Sequence, residues 1–180
     1  DQDIIDKSLD DQNLLLVGIS LKDTLSYQEA LKIDSLTRNL SLNKNIATVK
    51  HALNEKVILN PLLPMPINLF DLSDNQTFNQ SFNKLKIYNS NFISNDNKNL
   101  LIVITCKDLQ SEDQKKNILS TVETKFKSVN YSSINITGQI KSEIYMQNEI
   151  IKELIIFSLL SALICSCLLY TSDAADDASS

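Results

Sequence analysis

The sequence predicts an α+β fold made of two βαβ halves, leading into a membrane helix. Three features carry this reading. Short apolar runs with period-two neighbours mark strands, two capping boxes each open a helix with one apolar stripe, and residues 154–172, LIIFSLLSALICSCLLYTS, contain no charge. The composition agrees with a globular part, since 43% of the 180 residues are hydrophobic and 22% charged. One domain of that size buries a core without disulfide staples.

The first strand is read at residues 13–20, NLLLVGIS, an apolar run bounded by polar residues. That pattern suits a central strand buried on both faces. Leu25-Ser26-Tyr27-Gln28-Glu29 follows: Ser26 can accept from the Glu29 N–H, Glu29 can reach back, and Leu25 and Ala30 are spaced as a hydrophobic staple. A helix starts there. Its apolar positions Ala30, Ile33, Leu36 and Leu40 recur at three- and four-residue steps, and it ends within residues 41–45. Residues 46–53, IATVKHAL, alternate with period two and form a second strand.

Pro61, Pro64 and Pro66 preclude a regular helix or central strand across PLLPMP, so an extended apolar segment is expected there. A weak helix over residues 68–83 comes next. Residues 87–94 and 100–107 read as strands of a hairpin around Asn95-Asp96-Asn97-Lys98-Asn99, because Asn and Asp tolerate the left-handed backbone. Ser111 and Gln114 make a second capping box, with Ile118, Val122, Phe126 and Val129 on one stripe. Residues 133–137 are a last strand, and Gly138 suits a turn. With the inserted piece removed, the order is that of a ferredoxin-like split βαβ sandwich with both helices on one face of the sheet.

Several function classes are disfavoured. The net charge of −5 and scattered cations show no basic face for nucleic acid. One His and three Cys cannot supply a four-ligand zinc site of the usual spacings, and any His-dependent nucleophilic site would rest on His51 alone. His51 reads as a partly exposed or hydrogen-bonded strand residue, not a catalyst. Cys106 reads as a buried residue at a strand end, and Cys165 and Cys167 lie in the apolar span. There is no Gly-rich phosphate loop, and no cofactor, metal or catalytic residue is expected. The five Asn-x-Ser/Thr triplets arise readily in a chain with 19 Asn and carry no assigned role.

The first residue is Asp1, and the aspartate-rich start has no apolar signal region, so residues 1–12 read as a polar lead-in from a missing first membrane helix. The apolar part of the charge-free stretch, residues 154–170, runs about 25 Å as a helix, just short of a ~30 Å hydrocarbon core. The tail TSDAADDASS is small, acidic and without periodicity, and residues 168–180 are expected to be non-native read-through. The organisation expected is therefore a lead-in at 1–12, an extracytoplasmic domain at 13–146 with an insert at 54–86, a truncated membrane-entering helix at 147–170, and that tail.

The chain resembles the first extracytoplasmic porter domain of resistance-nodulation-division (RND) exporters, in the MMPL-like branch that handles lipids and hydrophobic molecules. The resemblance spans residues 11–164. It rests on LLLVGIS followed by KDTLS and the helix QEALKIDSLTRNL, on IATV, on Asn60-Pro61-Leu62-Leu63-Pro64, and on Phe92-Ile93-Ser94-Asn95-Asp96-Asn97-Lys98 before an apolar strand. Asn97 stands where that family usually has Gly. The ending Ile136-Thr137-Gly138, then a polar helix feeding an apolar span, is similar to the family's junction with its second membrane helix.

The resemblance implies a proton-driven exporter of hydrophobic or lipid-like molecules, with the folded domain on the periplasmic side of the inner membrane. Its partners would be the lipid bilayer, the lipid-like substrate and a second porter domain of the same full-length chain; homo-oligomerisation stays open. The energy-coupling residues of that family lie in helices outside this sequence. Leu62, Leu63, Met65, Ile67 and Phe70 could line a substrate route or cover the sheet edge. The other class to weigh is a membrane-anchored binding or adaptor domain, such as part of a permease subunit or sensor.

Overall fold

The computed structural model describes residues 13–58, 66–88, 90–107, 109, 111–127, 129 and 131–177, with side chains up to residue 167. The chain divides into two compact units, one up to Ser142 and one from Glu143 onward. The first holds β1 (Leu14–Ser20), α1 (Tyr27–Ser41), β2 (Ile46–Lys50), a 3₁₀ turn (Ala52–Asn54), β3 (Lys56–Ile58), β4 (Pro66–Asn68), α2 (Asn75–Tyr88), β5 (Asn99–Cys106), α3 (Glu112–Lys127) and β6 (Ser133–Thr137). Helix α4 (Gln139–Asp177) starts in this unit and makes up the second.

The four long strands form one sheet in the order β2-β5-β1-β6, antiparallel at every neighbour. Leu15, Val17 and Ile19 of β1 lie opposite Ile104, Ile102 and Leu100 of β5, and all six side chains are buried. Ala30, Ile33 and Leu40 of α1 and Ile118, Val122 and Phe126 of α3 complete the same core, so both helices cover one face. Lys125 Nζ of α3 donates to Asn39 Oδ1 of α1 at 2.6 Å where the helices meet.

Both helix starts follow from their capping boxes. Ser26 Oγ accepts from Glu29 N at 3.3 Å, and Glu29 Oε2 accepts from Ser26 N at 3.0 Å. Ser111 and Gln114 make the same reciprocal pair, each bond 3.3 Å. The α1 stripe differs from the expected one at a single place. Thr37 is buried and Leu36 half-buried, because the Thr37 hydroxyl returns its hydrogen bond to the Ile33 carbonyl at 2.9 Å and costs the core no unmet donor.

Other expectations need correction. β1 is central, but only its helix-facing side is fully buried: Leu14 and Leu16, on the other side, are half-covered. β2 stops at Lys50, not residue 53. The weak helix expected at 68–83 is α2, shifted to Asn75–Tyr88, because Phe78, Phe82 and Leu85 keep helical spacing. The strand expected at 87–94 is therefore absent. Ile87 and Tyr88 end α2, and only the Ile93↔Leu100 bridge remains of that hairpin. The turn itself is as expected: Asn97 has φ 57°, and Ser94 and Asp96 brace it through their side chains.

Gly138 joins β6 to α4 with φ +120°, and a Cβ there would meet the Leu14 carbonyl oxygen at 2.4 Å. At Gly18, the nearest atom would be the Asn135 carbonyl oxygen at 3.7 Å, an ordinary contact. Two stability outcomes follow, both read by chemical denaturation of the chain in detergent micelles. Gly138→Ala is expected to cost about 2 kcal/mol or more while Gly18→Ala costs much less, and equal effects would show that the β6–α4 joint is not sterically closed. Val122→Asp, at a side chain with 0% exposure, is expected to cost at least about 3 kcal/mol by burying an unpaired carboxylate. A melting point equal to the parent's would show that this face of α3 is not buried.

Candidate functional site

A cleft of about 450 Å³ lies between α1 and the segment inserted between β2 and β5. Asp34, Thr37, Arg38 and Ser41 line it from α1. Val49, His51, Leu53 and Asn54 come from the end of β2 and the 3₁₀ turn, and Lys56, Asn68, Phe70, Leu72 and Ser73 from the insert.

One asparagine makes this corner. The Asn54 side chain accepts from the His51 N–H at 2.9 Å and donates to the Val49 carbonyl at 2.7 Å, while its own N–H donates to the His51 carbonyl at 3.1 Å. These bonds replace a strand ladder, end β2, and fold His51-Ala52-Leu53 inward, all three buried. The chain then pairs as β3 with β4 in a separate two-stranded sheet, anchored by Leu69 N–H to the Glu55 carbonyl at 2.8 Å. Pro66 opens β4, the strand position at which a missing N–H is tolerated.

His51 is 2% exposed, and its Nδ1 is buried without a hydrogen-bond partner. Burial pulls the imidazole pKa down from 6.5 to about 4, and the Asp34 carboxylate only partly draws it back. The ring is neutral at pH 7. Asp34 is itself engaged by Arg38 Nε at 2.9 Å, while the Arg38 side chain stays 78% exposed. The hydroxyls of Thr37 and Ser41 are committed to main-chain carbonyls of their own helix. Among the described residues, no group of three or more His, Cys, Asp and Glu side chains could hold a metal ion.

The residues singled out from sequence fall as follows. Leu62, Leu63 and Met65 lie outside the described residues. Ile67 is half-buried in β4. Phe70 is 1% exposed, with ring centroids 5.5 Å from Phe78 and 5.3 Å from Phe82. Tyr27 joins this cluster at 5.6 Å from Phe78 and donates to the Leu72 carbonyl at 3.1 Å. Phe70 thus packs the insert onto α1 and forms part of the cleft floor. Cys106 is buried at the end of β5, its thiol pushed up to about 11 by desolvation. Asp34, Arg38, Asn54, Lys56 and Asn68 were not foreseen as neighbours of His51. The Asp34–Arg38 spacing of four was visible in the sequence, but its facing the β2 corner depends on how the insert folds.

Among the described residues, one helix is long and apolar enough to cross a membrane by length and composition: Gln139–Cys167 contains a window of mean hydropathy 2.1. No protein-family model matches the chain, and no curated protein matches it significantly.

The buried imidazole makes stability depend on pH. Its folded pKa, about 4, lies below the unfolded 6.5, so between these values the unfolded chain takes up a proton that the folded chain refuses. Stability is then full above the unfolded pKa, falls as the pH drops through that window, and levels off below it, a loss of up to roughly 3 kcal/mol. His51→Gln should remove this component, measured as the difference between the two proteins' unfolding free energies across the window. Parallel curves would show that His51 is not held neutral by burial.

Proposed function

We propose that this chain is the first extracytoplasmic porter domain of an RND-type exporter of hydrophobic or lipid-like molecules, built as a ferredoxin-like split βαβ sandwich. The fold reading is supported by the strand order β2-β5-β1-β6, antiparallel throughout, with α1 and α3 on one face. Once residues 51–98 are set aside, the remaining order is β-α-β-β-α-β. The observation that carries the transport reading is the junction. β6 ends at Thr137, turns at Gly138, and continues with no linker into a helix apolar enough to span a membrane.

On this reading the domain works by conformational change, with the sheet and the membrane helix consecutive in the chain. It faces the periplasm, the helix enters the inner membrane, and a second porter domain of the full-length chain is its partner. A second reading, a membrane-anchored binding or adaptor domain, is favoured by one observation: the cleft at Asp34, Arg38 and His51 is lined largely by polar groups and suits a polar ligand better than a hydrophobic one.

The test is the complete reading frame expressed in cells lacking their own exporters, with efflux of a lipophilic dye and membrane abundance measured on the same samples. An exporter is expected to lower dye retention, and its frame to carry many spans in two similar halves. Leu62→Ser, Leu63→Ser or Met65→Ser should then reduce efflux at nearly unchanged abundance. A frame with one or two spans and no effect on the dye would leave the adaptor reading in its place.

A further inference from the structure

His51 sits at the joint where β2 hands over to the insert, and its environment is ill-suited to one protonation state. Nδ1 is enclosed and has no partner. The charged groups lining the cleft are Asp34 and Arg38 from α1 and Lys56 from β3, whereas the turn residues Leu53 and Asn54 and the stretch Phe70, Leu72 and Ser73 bring none. Asp34, the one acceptor of opposite charge among them, is occupied by Arg38 Nε. An imidazolium therefore has no acceptor for its Nδ1–H in the closed arrangement, where a buried unpaired charge is strongly disfavoured.

We propose that His51 is a proton-operated latch on the insert: neutral, its ring seals the 3₁₀ turn and the β3–β4 sheet against α1, and protonated it leaves the joint toward Asp34 and opens the cleft. The opening is local because β3 and β4 hydrogen-bond as a separate two-stranded sheet, so releasing them breaks no ladder bond of β2-β5-β1-β6. The bonds that would be lost are those of the corner, Asn54 N–H to the His51 carbonyl and Glu55 N–H to the Ala52 carbonyl, whereas Leu69 N–H to the Glu55 carbonyl continues the β3–β4 pairing and moves with it. Burial depresses the proton affinity of the closed form, to a pKa of about 4, whereas the released ring lies in water beside Asp34 and binds the proton at least as readily as an exposed histidine. The latch therefore opens above the closed-form value, and pairing of the released imidazolium with Asp34 raises the pH at which it does so. This holds whether the domain transports or only binds.

Hydrogen–deuterium exchange of the full chain in detergent micelles tests it, with rates corrected for the intrinsic effect of pH. Between neutral pH and about pH 4.5, protection at Asn54 and Glu55 is expected to fall about tenfold or more while the amides of β1 and β5 keep theirs. His51→Gln should hold the corner closed across the range, with His51→Phe, an apolar ring for the same buried place, as the second variant. Asp34→Asn should move the opening to lower pH. Three results overturn the latch: no loss of protection in the parent, the same loss in both His51 variants, or a loss shared equally with β1 and β5, which is global unfolding. An Asp34→Asn midpoint equal to the parent's removes the carboxylate from the mechanism and overturns it in this form.

Discussion

The pairing of β1 with β5 is the constraint on which the folded unit depends. Strand side chains alternate between faces, so a slip of one residue would turn Leu15, Val17 and Ile19 away from the helices and bring Leu14, Leu16 and Gly18 toward them. Each buried aliphatic side chain contributes about 1.5–3 kcal/mol, and three facing pairs across one strand boundary select the register decisively. β6 obeys the same register, with Val17 opposite Ile136. Gly138 closes this end because its backbone lies against the Leu14 carbonyl too tightly for a side chain. The placement of α1 and α3 then follows, since each has one apolar stripe and only one face of the sheet is fully apolar.

Short polar motifs decide where the elements stop. The two Ser capping boxes start α1 and α3, Asn54 ends β2, and Ser94, Asp96 and Asn97 shape the turn into β5. Asp96 is held below the usual carboxylate range by the Ser94 hydroxyl and then the Lys98 N–H, so this turn is braced by an ionised side chain. In each case a side chain takes over a main-chain hydrogen bond that the regular element can no longer make. At Asn54 the effect is largest, because the residues it turns inward include the chain's only histidine.

The insert is held to α1 through Tyr27, which joins an aromatic cluster of Phe70, Phe78 and Phe82, and inside the insert the buried Ser81 accepts from the Asp71 N–H at 3.1 Å and donates to the Thr77 carbonyl at 3.0 Å. The cleft lies where this attachment ends. A firmly packed aromatic side next to a polar side lined by the buried His51 gives the insert one anchored end and one end closed around a single imidazole. This asymmetry makes the joint a place for controlled movement, whatever molecule the complete protein handles.

What could be read from the amino-acid order was local. The capped starts of α1 and α3, the strand at Ser133–Thr137, the left-handed Asn97 and the apolar span all depend on neighbours a few residues apart. The hairpin expected around residues 95–99 failed for the opposite reason. Ile87 and Tyr88 carry β propensity, yet Phe78, Phe82 and Leu85 extend α2 through them, and β5 finds its long partners in β1 and β2, distant in sequence. His51 reads in the sequence as a partly exposed or hydrogen-bonded strand residue, whereas it lies past the end of β2, buried and with Nδ1 unpartnered, because α1, a turn and an insert that only the folded chain brings together enclose it. Hydrogen-bonding side chains and apolar periodicity act over a turn or a strand and are written in the sequence. The choice of strand partners and the desolvation of a single imidazole are set by long-range packing, so only the tertiary structure decides them.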